Sequence, residues 1–211
     1  MAYTDEAAFQ SGLSTAGLTA TTLDFDSLSA GELIPSGVPV DRITFTYNHF
    51  HSGFGAATMQ VRDDFETTSP VNYLGSNDGG IFQDGDDFDL SFAPVNAIGM
   101  FFITADLMFD GDIELTVGGV SASLVTADVS FLPTFGDQVY FLGLIDTMNT
   151  FTTASVTTIG GGFFLFNVDD IVLASAAAGP MVPVPEPASA PLFLVGLIGL
   201  WAAARARRRG T

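Results

Sequence analysis

The chain has no lysine and no cysteine in 211 residues. Without cysteine it can form no disulfide, use no thiolate nucleophile and hold no zinc on thiolates. Positive charge is scarce over most of its length. Arg42 and Arg62 are the only basic side chains before residue 188, against all 24 acidic residues, so that part carries a net charge of −22. A surface so acidic repels phosphate backbones, which excludes nucleic acid as a partner. Catalytic signatures are missing as well: no Gly-x-Ser-x-Gly elbow, phosphate loop or His-Glu-x-x-His pair occurs. Gly160-Gly161-Gly162 has no phosphate-loop context and reads as a flexible turn. Disorder is excluded too, because only 14% of residues are charged and 47% are hydrophobic. Twenty phenylalanines can fill the core of one domain of ordinary size.

What is present is mostly short alternating runs rich in Thr, Val, Ile and Phe, separated by Gly, Asp, Asn and Pro. They lie at 21–26, 42–47, 58–62, 87–92, 97–104, 112–117, 121–127, 139–145, 154–159 and 163–174. Ten short strands at this spacing predict an all-β fold, an antiparallel β-sandwich of jelly-roll type. The Phe-Phe-Ile-Thr and Phe-Phe-Leu-Phe runs read as central strands buried on both sides. Helical signal is confined to Thr4–Leu13, where Thr4 is the expected cap and Asp5 and Glu6 suit the positive end of a helix. The expected organisation is a sandwich domain over 1–174, a Pro/Ala linker over 175–187, and a membrane helix with a basic tail over 188–209.

The C-terminal segment is the most specific feature. From Ala188 to Ala204 seventeen residues pass without a charge. At 1.5 Å per residue they span roughly 25 Å, the short end of what crosses a hydrocarbon core of about 30 Å. Trp201 suits the headgroup region, and Arg205, Arg207, Arg208 and Arg209 follow at once. The positive-inside rule then places the C-terminus in the cytoplasm. Pro183, Pro185 and Pro187 favour an extended, grippable strip before the helix. A buried core helix and an unprocessed tail anchor are the plainer readings of such a run; the arginine cluster argues against the first.

Pro185-Glu186-Pro187, the Leu- and Gly-rich apolar run and the terminal Arg-Ala-Arg-Arg-Arg resemble the PEP-CTERM sorting signal of Gram-negative bacteria. The resemblance covers about residues 184–209. It implies recognition by an exosortase, a membrane-embedded enzyme that cleaves near the Pro-Glu-Pro motif, and delivery to the cell surface or extracellular matrix. Such proteins accompany exopolysaccharide and biofilm formation. The first eighteen residues show neither the charged region nor the apolar core of an export signal, so a leader upstream of Met1 is expected. The body, with its opening Tyr-Thr-Asp-Glu-Ala-Ala-Phe, Leu-Asp-Phe-Asp and closing Phe-Asn-Val-Asp-Asp-Ile, resembles the exported part of other PEP-CTERM proteins. That resemblance implies a jelly roll related to carbohydrate-binding modules. It departs from the pattern in Val40–Asn48, which lacks the usual glycine before the aromatic.

Calcium is the metal such a chain suits, since it takes six to eight oxygen ligands. Strand alternation is expected to send Asp24 and Asp26 to one face, and Asp169 and Asp170 lie on the last strand. If first and last strands pair, the four carboxylates converge on a structural calcium; the plainer reading is acids at strand ends making turns. Asn77 to Asp89 and Asp110-Gly111-Asp112 are oxygen-rich but depart from the EF-hand pattern and read as loops. His49 and His51 make a weak metal pair. Tyr47, Phe50, Phe54 and Tyr73 are the aromatics expected to be exposed for stacking on sugars. Two functions follow: a non-enzymatic surface or matrix module associated with polysaccharide, or a secreted hydrolase using two carboxylates.

Overall fold

In the computed structural model, residues 1–48, 57–133, 136–159 and 163–176 are described. The Pro-Glu-Pro motif, the expected membrane helix and the arginine cluster lie outside these residues. So do most of the linker, His49, His51, Phe50, Phe54 and Gly160–Gly162. Among the described residues no helix is long and apolar enough to cross a membrane.

In chain order the elements begin with β1 (Ala2–Tyr3), α1 (Glu6–Ala16), β2 (Leu18–Leu23), β3 (Leu33–Ile34), β4 (Pro39–Val40) and β5 (Ile43–Asn48). Next come β6 (Met59–Arg62), β7 (Tyr73–Ser76), β8 (Phe82–Gln83), β9 (Asp87–Val95), β10 (Ala97–Thr104) and β11 (Ile113–Val117). The remainder are β12 (Val120–Ser123), a 3-10 turn (Thr126–Asp128), β13 (Ser130–Phe131), β14 (Gln138–Ile145), β15 (Phe151–Thr158) and β16 (Leu165–Ala176). All ten predicted strands form, with ends displaced by up to four residues.

Alternation dictates the layering. Phe88, Leu90 and Phe92 of β9 and Ile43 and Phe45 of β5 turn inward while their neighbours face out. They meet Met100 and Phe102 of β10 and Phe166 and Val168 of β16 in one buried cluster. One sheet is ordered β1-β14-β10-β16-β7-β6-β3, with β13 on β14 and both β2 and β8 on β16; the other is β12-β11-β15-β9-β5-β4. Every pairing is antiparallel. Two antiparallel sheets sharing a core match the expected sandwich. Each fully buried Phe or Leu in it contributes about 1.5–3 kcal/mol. Val117 and Val120 close a hairpin through Gly118 and Gly119, whose φ of 56° and 82° are those of a twist-matched two-residue turn.

The helix corrects one expectation. Asp5, not Thr4, caps it, accepting the Ala8 amide at 2.7 Å; Thr4 donates instead to Asp128. Phe9 and Leu13 are its buried face. Phe9 docks on Gly99 and Gly143, which are cross-strand partners in β10 and β14. A β-carbon at Gly143 would stand 2.6 Å from the Phe9 ring, so only this glycine window admits the helix. A second correction concerns Phe163, which is 72% exposed while Phe164 and Phe166 are buried.

Candidate functional site

First and last predicted strands do pair: β2 lies along β16 from Leu23 opposite Ile171 to Leu18 opposite Ala176. The strand ends at Leu23, however, and Phe25 follows with φ of 61°. A left-handed phenylalanine breaks the alternation that was to put Asp24 and Asp26 on one strand face. On β16 the register against β10 slips between Gly99 and Phe101, leaving one extra residue. Asp170 absorbs it with φ of 48°, the signature of a β-bulge.

These two irregularities aim the carboxylates at the segment between β6 and β7. Asp169 is fully buried, and its Oδ2 accepts the amides of Thr68 at 2.9 Å and Ser69 at 2.8 Å. The Thr68 hydroxyl adds a bond at 3.2 Å, and the Asp170 amide reaches Oδ1 at 2.8 Å. Asp26 Oδ1 accepts Val71 N at 3.0 Å and Asn72 N at 2.8 Å. Asn167 donates to the Glu66 carbonyl at 3.0 Å, and the Ser69 hydroxyl donates to the Asp24 carbonyl at 3.2 Å. Asp24 takes the Asp26 amide at 3.1 Å. Burial pushes the Asp169 carboxyl up to about 7, against the pull of the Ser69 and Asp170 amides. Burial also raises Asp170, a Thr68 hydrogen bond opposes it, and the charges of Asp24, Asp26 and Glu6 add to the rise.

The four aspartates are thus brought to one region, but main-chain amides take up Asp24, Asp26 and Asp169. Among the described residues no three His, Asp or Glu side chains are grouped to hold a metal ion. A cation that binds only the fold raises its stability by RT ln(1 + [L]/Kd). A rise in melting temperature in millimolar calcium, abolished by Asp169→Ala, would assign the expected ion to these residues, and no rise at saturating calcium would remove it.

The other acids fill similar roles. Asp86 accepts Gln83 N at 2.9 Å, Asp87 accepts Thr158 N at 2.8 Å and Asp112 accepts Phe109 N at 2.7 Å. Asp110 holds the Thr126 amide at 2.7 Å, and its hydroxyl and amide keep that carboxyl below the usual range. The loop reading of both oxygen-rich segments describes these contacts.

One region differs. The anchored segment walls a cleft of about 630 Å³ lined by Asp63, Asp64, Phe65, Glu66 and, across it, Ala105 and Asp137. Asp64 pairs with Arg62, whose hydrogen bond holds the carboxyl below its ordinary range against the effect of burial. The Tyr73 hydroxyl donates to Asp64 at 2.8 Å. Tyr73 is fully buried, which corrects its expected exposure; its ring meets the edge of Phe65 at 6.3 Å. Burial, then the Asp64 hydrogen bond, raises the pKa of the Tyr73 phenol. Tyr47 is half-buried beside Phe82, and burial followed by the Asp86 charge raises it. The aromatic open to the cleft is Phe65, 47% exposed. Among the described residues no side-chain hydrogen bond or ion pair engages the carboxylates of Asp63, Glu66 or Asp137. The sequence carries a weak local hint of this place, Arg62-Asp63-Asp64-Phe65-Glu66, an arginine next to an aromatic set among acids.

Comparison with known proteins adds an address. No curated protein matches the sequence. Among solved structures, the chain is similar to the catalytic unit of a thermostable GH87 alpha-1,3-glucanase from Streptomyces thermodiastaticus strain HF3-3. Identity is 14% and the TM-score 0.33, over 80% of this chain and 28% of that one. The chain therefore spans less than a third of that protein. Residues 183–209 match the PEP-CTERM protein-sorting motif. The prolines, apolar run and arginines at the C-terminus are a PEP-CTERM sorting motif, which supports sorting of the chain as an exported protein by an exosortase system.

Proposed function

We propose that the exported sandwich is a non-catalytic module of the cell surface or extracellular matrix that associates with polysaccharide. The observation that carries this reading is the cleft beside Phe65. Pyranose rings present C–H faces that pack on aromatic rings and hydroxyls that donate to carboxylates. Phe65 offers the ring, and Asp63, Glu66 and Asp137 offer acceptors that no side-chain donor among the described residues engages. A body of net charge −22 repels uronate-rich polymers, so the fitting ligands are neutral or amino-sugar chains. Retention on such polysaccharide beads should fall roughly tenfold, about 1.4 kcal/mol, in Phe65→Ala. Met148→Ala, exposed past the end of β14 far from Asp137, serves as the control and should bind normally. Absent retention together with released reducing ends would favour a hydrolase instead.

Before processing, the apolar run 188–204 holds the precursor in the inner membrane with its arginine end cytoplasmic. Exosortase then cuts near Pro185–Pro187. Mass spectrometry of the surface form should find a C-terminus upstream of Ala188; an intact Arg205–Arg209 end would contradict this.

A further inference from the structure

Strand β2 reads Leu-Thr-Ala-Thr-Thr-Leu, six residues without a charge. Thr19, Ala20, Thr21 and Thr22 are all exposed, so both faces of the strand are open to solvent. One edge of β2 lies along β16, and among the described residues no strand pairs with the other. Natural sheets blunt such edges by keeping them short, by placing charge or proline there, or by covering them. The other outer strands here do so. Strands β1, β3, β4 and β13 have two residues each, and β4 begins with Pro39. Strand β12 is also short, with four residues. Among the described residues the β2 edge has none of these devices.

We propose that β2 is a self-association edge, on which two copies of this chain pair as antiparallel strands about a two-fold axis through Ala20. The sequence is complementary to itself in that register. A two-fold normal to the sheet sets residues of equal parity opposite each other. Thr19 of one copy then faces Thr21 of the other, Leu18 faces Thr22, and Ala20 faces its own equivalent. Threonine–threonine pairs are favourable cross-strand neighbours. Centring one residue later, on Thr21, would bring Asp24 opposite Leu18 and a carboxylate into the ladder. Centring on Ala20 keeps the ladder uncharged, as two bodies of net charge −22 require. A ladder this short buries less than the roughly 1,200 Å² of a stable complex. Association is therefore concentration-dependent, and it strengthens with salt, which screens the repulsion between the acidic bodies.

The chain's lack of cysteine makes the test clean. Directly opposed α-carbons in an antiparallel pair are about 4.5–5.5 Å apart, inside the roughly 4.4–6.8 Å a disulfide spans. Full-length Ala20→Cys, solubilised in detergent micelles and oxidised, should give a covalent dimer on a non-reducing gel. Val38→Cys, 48% exposed on another part of the body, should not. Adding Thr21→Glu to Ala20→Cys should lower the dimer yield at least fivefold, with unchanged thermal melting showing that the fold persists. Light scattering on the unsubstituted full chain should show a dimer fraction that grows with concentration and salt. The proposal is overturned if Ala20→Cys cross-links no better than Val38→Cys. It is equally overturned if Thr21→Glu changes nothing, or if the chain stays monomeric at every salt concentration. Equal cross-linking at both positions would assign any dimer to another surface.

Discussion

Asparagine at position 169 should flatten the pH dependence of stability between about pH 4 and pH 7, and lower stability at the acidic end of that range. In the unfolded chain an aspartate titrates near 3.9, whereas Asp169 in the fold is pushed up to about 7. Below pH of about 4 both states hold the proton and the contribution is complete. Between the two values the unfolded chain releases its proton while the fold keeps it, so stability falls as pH rises. The loss reaches up to about 4 kcal/mol and ends near pH 7. Asparagine cannot titrate, which removes this slope. Its amide group also puts a donor where Thr68, Ser69 and Asp170 amides already donate, at a cost of about 1–3 kcal/mol. Urea unfolding of both proteins at several pH values measures the difference curve. Parallel curves would show that Asp169 keeps an ordinary carboxylate titration. The carboxyls held low, Asp64, Asp110, Glu114 and Asp146, act with the opposite sign and lose stability as pH falls below the usual range.

Phe9→Ala is expected to cost about 3–5 kcal/mol and to lower the melting temperature by roughly 6–20 °C. Phe9 is fully buried, with its ring 5.1 Å from Phe141 and 5.7 Å from Tyr3, centroid to centroid. No other side chain of α1 reaches so far into the glycine window of β10 and β14. Gly143→Ala should also destabilise, since the new methyl stands 2.6 Å from the Phe9 ring. The two changes should not add. With the Phe9 ring gone the methyl keeps only its contact with Phe141, at 2.8 Å, so the double variant should lose less than the sum of the singles. Strict additivity would mean that the helix and the glycines do not meet as described. Thermal melting of the four proteins decides it.

Much of the fold was legible because sheet burial is written in a period of two. Phe88, Leu90 and Phe92 announce β9, and Ile113, Leu115 and Val117 announce β11, without any knowledge of what lies opposite. Strands β1, β3, β4, β8 and β13 escaped because two residues display no period. Strand β7 escaped because Tyr73 to Ser76 are buried on both faces and so show no alternation. The predicted end of β2 was wrong for a different reason. Nothing local makes Phe25 left-handed; it adopts φ of 61° in the fold, where it is fully buried and the Asp26 carboxylate next to it binds Val71 and Asn72.

By itself the sequence determined three things: an acidic all-β body, the absence of cysteine chemistry, and the C-terminal sorting motif. Each is legible locally, because charge, alternation and a contiguous Pro–apolar–Arg order need no partner to be recognised. The tertiary structure decided what the aspartates do. Asp169 meets Thr68 and Ser69 across 101 and 100 residues, through a bulge that depends on the pairing with β10. It also decided that Tyr73 is core and Phe65 is surface, and that β2 presents an open edge. These outcomes depend on which distant segments come into contact, and composition and periodicity along the chain carry no record of that.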